Sequence, residues 1–264
     1  MTTQATQVVA VDWSGRLKGA EETIWVAQVV DGRLVELENG LGREDAIKHV
    51  IELAAAEPRT IVGLDFAFSF PAWYCRRRDW SSGRDVWTEM RARGDQLLAS
   101  CEPPFWGRSG TTAQRFGEPL RATERLLVPR PKSVFQIAGA GTVGTGSMRG
   151  MPHLLTLAGA GFSIWPFEPA TGATVVEIYP RLFAPDTIKR RHLARREHLK
   201  QCFPDQCAVL RERAAGSEDA FDAAVSALVM AEHLAELERL PAVPADAPEH
   251  IEGAIWRPSV STAA

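Results

Sequence analysis

The stretch Val8-Val9-Ala10-Val11-Asp12-Trp13-Ser14-Gly15 places four small or β-branched apolar residues directly before a carboxylate and a glycine-containing turn. An unbroken apolar run of this length is expected to be a strand buried on both faces, as in a parallel sheet covered by helices. A charge at the end of such a strand is costly to desolvate unless something pairs with it. The same arrangement returns at Ile61-Val62-Gly63-Leu64-Asp65-Phe66. Two buried strands that each end in Asp predict an α/β fold with two acids at the carboxyl edge of one sheet, where open α/β sheets place their ligands.

The chain between these strands fits that frame. Glu22 to Val30 is rich in β-branched residues, Asp31-Gly32 is a hairpin signal, and Arg33 to Glu38 alternates polar with apolar. Glu44 to Ala56 has helical apolar spacing, and Pro58 stops it. A strand, helix, strand order implies a right-handed crossover and a parallel pair. From Phe68 to about Gly150 the pattern breaks down among prolines and tryptophans. We expect residues 68–150 to be an insertion packed over one edge of the sheet, a lid or substrate platform. Within it Val86 to Ser100 could be helical. Beyond it, Pro152 to Ala160 predicts a short helix, Phe162–Phe167 and Thr174–Tyr179 are strand-like, and Ser217 to Leu240 is the clearest helix, with Ser217 as its N-cap. Ile251 to Pro258 is expected to pack back on the core, and the last residues to be unstructured.

Bulk properties bound the function. The 264 residues suffice for a single domain, residues 1–264, with a sizeable insertion. A net charge of -3 excludes a basic nucleic-acid binder as a whole, so a polyanion site would be local. Cys75, Cys101, Cys202 and Cys207 form no CxxC pair, and Met1 to Gln7 lacks leader character, so reduced thiols in a cytoplasm are expected. No run of 18 apolar residues predicts a membrane span, and nothing specifies an oligomeric state.

Further acids extend the first two. Glu177 sits inside the apolar strand Val175–Tyr179, and Asp219 and Asp222, three apart, share a helix face. Converging carboxylates cannot all remain ionised without cations, and Mg²⁺ or Mn²⁺ suits oxygen ligands. Two such ions about 4 Å apart activate water and stabilise the leaving oxygen of a phosphodiester. Taken singly, each acid has a plainer explanation: a cap for Asp12 or Asp65, first-turn helix charges for Asp219 and Asp222, and a pair with an arginine such as Arg181 for Glu177.

The order strand-Asp, hairpin, helix, strand-Asp and final helix opening with Asp-x-x-Asp resembles the RNase H-like fold of Holliday-junction resolvases and related nucleases. More narrowly, VAVDWSG, GLDFAFSFP, VVEIYPRLF, SEDAFDAAVSALVMA and IEGAIWRP resemble the family called domain of unknown function 429, whose members are generally described as predicted RNase H-like nucleases. The resemblance spans residues 8 to 258. It implies a mixed five-stranded sheet flanked by helices, with Asp12, Asp65 and Asp222 catalytic and metal-binding, and Asp219 and Glu177 supporting or sharing the metal. Glu177 belongs to the narrower family, and its role stays open. The expected activity is divalent-metal-dependent hydrolysis of phosphodiester bonds in nucleic acid, without an organic cofactor. The alternative is a non-catalytic or small-molecule protein on the same scaffold, binding a nucleotide or dinucleotide or transferring phosphate.

Other signals concern substrate. Ser14 and Gly15, with Lys18 after them, resemble the phosphate-binding hairpin of sugar kinases and actin-like ATPases. Gly139 to Gly144 fits the dinucleotide fingerprint, although Gly146, Gly150 and Pro152 are expected to disrupt its helix. Arg181 to Lys200 carries seven Lys/Arg against Asp186 and Glu197, either a phosphate-facing surface or a solvated helix face. Arg76, beside Trp73 and Trp80, is a candidate for phosphate pairing, as is Arg181 in the basic run, and Lys132 and Arg149 are candidate transition-state cations in substrate binding on position. His198, Cys202 and Cys207 share a helical spacing but lack a fourth ligand for a soft metal.

Overall fold

The computed structural model describes residues 7–111, 116–139 and 141–259. Ala140 of the glycine-rich loop and the last five residues, expected to be unstructured, lie outside them. The fold is α/β, with a mixed six-stranded sheet among the described residues rather than five strands. The strands are β1 (Gln7–Asp12), β2 (Trp25–Val30), β3 (Arg33–Glu38), β4 (Ile61–Leu64), β5 (Ser163–Ile164) and β6 (Thr174–Glu177), in the order β3-β2-β1-β4-β6-β5. The added member is the two-residue edge strand β5. β1, β2 and β3 pair antiparallel, and β4, β6 and β5 continue parallel to β1. Helix α1 (Arg43–Ala56) makes the crossover between β3 and β4.

Strand alternation divides the core in two. Val9, Val11, Val62, Leu64 and Val175 face one side, and Val8, Ala10, Ile61 and Val176 the other, which is why the runs are apolar throughout. The first side is covered by α1, α3 (Gly83–Ser100) and α4 (Gly144–Gly159), the second mainly by α7 (Glu218–Glu232) with α5 (His192–Cys202) and α6 (Ala208–Ala215) beside it. α3 begins three residues earlier than the apolar spacing indicates, because Ser82 and Asp85 form a reciprocal capping box.

The described residues of the segment 68–150 supply side chains to the core on the first face of the sheet rather than packing over its edge. Phe70, Tyr74 of α2 (Ala72–Arg77), Phe105 and Phe135 interlock, with the Phe70 and Phe135 rings stacked at 5.7 Å, in the same core as β1 and β4. α4 is longer than expected and runs through Gly146, Gly150 and Pro152. Its glycines permit close approach: a Cβ on Gly150 would meet the Phe66 ring at 2.7 Å, and one on Gly144 the Val134 carbonyl oxygen at 2.1 Å. α7 stops at Glu232, short of the Leu240 expected from spacing. The tail does pack back on the core, Trp256 donating its backbone N–H to the Glu177 carbonyl (2.8 Å).

Candidate acidic site and adjoining cavity

Asp12 closes β1, and Asp65 follows β4 directly. Register sets Val11 opposite Leu64, and Asp65 donates its N–H to the Val11 carbonyl (3.1 Å), so the two acids emerge side by side. By alternation both follow the face of Val8, Ala10 and Ile61, toward α7. α7 starts at its N-cap Ser217, whose Oγ accepts from the Ala220 N–H (2.9 Å), and its alanine-rich face lets it lie close to the sheet. This orientation brings Asp222, one turn in, toward Asp12 and Asp65. Lys189, from the loop before α5, enters the same space, its Nζ 2.6 Å from Asp222 Oδ1.

The electrostatics follow from burial. Asp12 is pushed well above the usual carboxylate range by desolvation, then by Asp65, Asp222 and Asp219, with Lys189 opposing. Desolvation, with Asp222 next, raises Asp65 to about 8. Desolvation also raises Asp222 against the pull of Lys189, and raises Asp219 against the pull of Arg16. Among the described residues no hydrogen bond or ion pair reaches the side chains of Asp12, Asp65 or Asp219; Lys189 alone forms an ion pair in the cluster.

Glu177 goes elsewhere. Val176 faces α7, so Glu177 turns to the opposite side of the sheet, where Arg121 holds both its oxygens. Arg121 Nη1 donates to Glu177 Oε2 at 2.7 Å and to the Glu252 carbonyl at 3.0 Å, while Nη2 reaches Glu124 at 2.7 Å as well as Glu177 Oε1. The Phe68 N–H also donates to Glu177 (2.9 Å). Burial alone would lower Arg121, but Glu124 and Glu177 raise it, so it stays charged. The partner of Glu177 is therefore Arg121, fully buried, and not Arg181, which donates to the Thr187 carbonyl (3.1 Å). Glu177 is a structural ion-pair member rather than a free ligand.

The remaining acids suit a hard cation without forming a closed cage. Among the described residues the only His, Cys, Asp and Glu side chains whose ligand atoms gather within 4.8 Å in a group of three are Glu36, Glu38 and His49, on β3 and α1. Asp12, Asp65 and Asp222 do not converge that tightly. Carboxylate oxygens without donors, as on Asp12 and Asp65, are nonetheless the donor chemistry of Mg²⁺ or Mn²⁺, and Mg²⁺ commonly rests on one or two carboxylates with waters and a substrate phosphate.

A cavity of about 430 Å³ opens beside Asp65 at the carboxyl edge of the sheet. Trp13, Phe66 and Tyr179 form part of its wall, Arg16 and Lys132 lie on it, and the first turn of α4 closes one side. Of the candidate substrate contacts, Lys132 alone is in this lining. Ser14 is buried and shapes the turn after β1, accepting from Thr23 Oγ1 (2.8 Å) and the Arg16 N–H (3.3 Å). Arg149 clamps the same turn by donating to the Gly15 carbonyl, and pairs with Asp95 at 3.1 Å. Arg76 lies in the last turn of α2, outside the cavity lining. The basic run 181–200 divides: Lys189 enters the acidic cluster, buried Arg195 donates to the Ala215 carbonyl (2.8 Å), and Arg196 pairs with Glu212 on the surface. His198 bonds Thr187 Oγ1 (3.0 Å), and among the described residues it forms no metal-ligand group with Cys202 and Cys207.

The third glycine of the dinucleotide fingerprint, Gly144, does open a helix, but among the described residues before it no regular strand forms, and Gln136 makes an isolated bridge to Trp106. Lys189, Arg121 and Arg16 join the site or its surroundings without a sequence signal of their own. Lys189 is one of many cations in a basic run, and Arg121 lies in the irregular insertion, with nothing to mark either. No protein-family model, curated protein or solved structure matches the chain. No helix among the described residues is long and apolar enough to cross a membrane.

Proposed function

We propose that the chain is a divalent-metal-dependent phosphodiesterase on an RNase H-like core, acting on nucleic acid or a nucleotide. The observation that carries this is the set of buried acids at the sheet's carboxyl edge: Asp12 and Asp65 side by side without donors, faced by Asp222 from α7. The likeness of the five sequence motifs to domain of unknown function 429 supports the same assignment. Asp12 and Asp65 would hold Mg²⁺ or Mn²⁺, with Asp222 and Asp219 adding charge from α7. Such an ion supplies charge neutralisation at a phosphoryl oxygen and acidifies a coordinated water. Lys189 holds Asp222 in place and offsets part of the acidic charge. Lys132 and Arg16, on the cavity wall beside Asp65, orient the phosphate.

The test is cleavage of single-stranded, double-stranded, hybrid and branched nucleic acids with Mg²⁺ or Mn²⁺. Metal-dependent cleavage is expected, reduced to background by Asp12→Asn and by Asp65→Asn. Equal cleavage by Asp12→Asn and wild type, or none with any substrate and metal, would refute the assignment.

A further inference from the structure

We propose that Glu36, Glu38 and His49 form a transition-metal site, for Zn²⁺ or a similar divalent ion, that clasps the edge strand β3 to the crossover helix α1. It stands independently of the phosphodiesterase assignment. Asp12, Asp65 and Asp222 gather on the side of the sheet that α7 covers, whereas α1 and these three residues lie on the other. The pairing of β2 with β3 shifts register at Gln28 and Val29, so Leu34 and Leu37, three apart, both face α7. With Leu37 turned that way, its neighbours Glu36 and Glu38 turn to α1. There Ala46, Ile47 and Val50 are buried on the sheet, and His49 sits half-buried at the margin of that face.

The spacing is that of ligands around one ion. One ligand atom from each residue lies within 4.8 Å of the other two. His49 Nε2 is 3.5 Å from Glu38 Oε1 and 3.9 Å from Glu36 Oε2. Metal–ligand bonds of about 2.0–2.2 Å let two ligands of one ion stand up to about 4.4 Å apart. A second observation is what these groups lack. Nε2 is sealed from solvent and has no hydrogen-bond partner, and its two contacts at these distances turn it toward the carboxylates. Among the described residues neither carboxylate accepts a hydrogen bond or pairs with a Lys or Arg. An imidazole serving only as counter-ion would close to about 2.7–3.2 Å on one of them. Inward-pointing acids on an edge strand deter edge-to-edge pairing, but that role needs no imidazole between them. Glu36 and Glu38 are partly open to solvent, which gives an ion its way in. One imidazole with two carboxylates suits Zn²⁺ and its transition-metal neighbours, whereas Mg²⁺ prefers oxygen alone. β3 has a strand neighbour only in β2, so such an ion would fasten its free side to α1.

Calorimetric titration of the full chain with Zn²⁺, in excess Mg²⁺, tests this. One Zn²⁺ is expected to bind per chain, equally in wild type and in Asp12→Asn. Loss of a group behind a ligand already costs about 10–100-fold in affinity, so His49→Gln should weaken this Zn²⁺ at least tenfold. Glu36→Gln, at a partly exposed position, should weaken it about tenfold. Zn²⁺ should raise the Tm of wild type and not that of His49→Gln, each chain's own cooperative melt showing that it is folded. Cys202→Ser, which removes the exposed thiol beside His198, should bind as wild type does. No Zn²⁺ bound by the wild type, equal binding by His49→Gln and Glu36→Gln, or loss of the ion in Asp12→Asn or Cys202→Ser overturns the site.

Discussion

Lys189 decides how the acidic cluster behaves without a metal. Its ammonium sits 2.6 Å from Asp222 and lowers the pKa of Asp12, Asp65 and Asp222, so it stands where a cation is needed. Removing one partner of a largely buried pair leaves the other charge uncompensated, on the order of 3 kcal/mol. Lys189→Met should therefore lower the unfolding free energy of the metal-free protein by about that amount in urea titrations. It should also bind Mn²⁺ more tightly than wild type, because the competing ammonium is gone. Weaker Mn²⁺ binding by the variant in calorimetry would mean that Lys189 builds the cation site instead of competing for it. At this scale the sequence was informative about the acids and silent about their partners. Asp12 and Asp65 were legible because each ended an apolar run, and alternation carried both toward α7. Glu177 looked equivalent by the same criterion, but one step of strand period turned it to the opposite face. Its partner Arg121 lies 56 residues away in a segment without periodicity, so no local pattern could reveal it.

Among the elements, α7 and the strands were legible because their apolar spacing coincides with their packing, and Ser217 supplied ordinary capping chemistry, whereas the capping box of Ser82 and Asp85 that starts α3 went unread. α4 was half legible. Its glycines read as helix breakers from propensity, whereas they serve close contact, with β1's turn at Gly15 and with the 134–137 loop. This reverses an ordinary expectation. Gly→Ala inside a helix normally stabilises by about 0.5–1 kcal/mol. At Gly144 the added methyl would stand 2.1 Å from the Val134 backbone oxygen, which cannot rotate away. Gly144→Ala should destabilise instead, by about 1–3 kcal/mol as for other overpacked sites, measured by equilibrium denaturation. A stabilised Gly144→Ala would mean that α4 does not seat on that loop. The acidic site and the cavity share this dependence, because the start of α4 walls the cavity next to Asp65.

At the scale of the whole molecule, the sheet's carboxyl edge stores unfavourable charge, and stability should register it. A carboxyl whose pKa is higher in the folded chain than in the unfolded one holds its proton more tightly when folded. Its contribution is complete below the unfolded value and is lost as pH rises through the folded one. Asp65, raised to about 8 by burial and then by Asp222, and Asp12, raised well above its usual range, both have this sign. Half-buried His153 and His198 have the opposite sign, since burial lowers them; an unfolded histidine is about half protonated near pH 6.5, so they offset part of the carboxyl slope there and drop out by about pH 7.5. Glu236, held at about 2 by Ser259 and His233, acts only in acid. Between pH 6.5 and 8 the metal-free protein should therefore lose stability as pH rises. The slope approaches about 1.4 kcal/mol per pH unit for each carboxyl still protonated, a few degrees in Tm. Mg²⁺ binds the ionised form, so it should raise Tm more at pH 8 than at pH 6.5, and Asp65→Asn should flatten both the slope and the Mg²⁺ gain. Scanning calorimetry in EDTA and in Mg²⁺ measures all three. A metal-free Tm that rises across this interval, or a Mg²⁺ gain equal at both pH values and retained by Asp65→Asn, would mean that the buried acids are neither the source of the strain nor the seat of the cation.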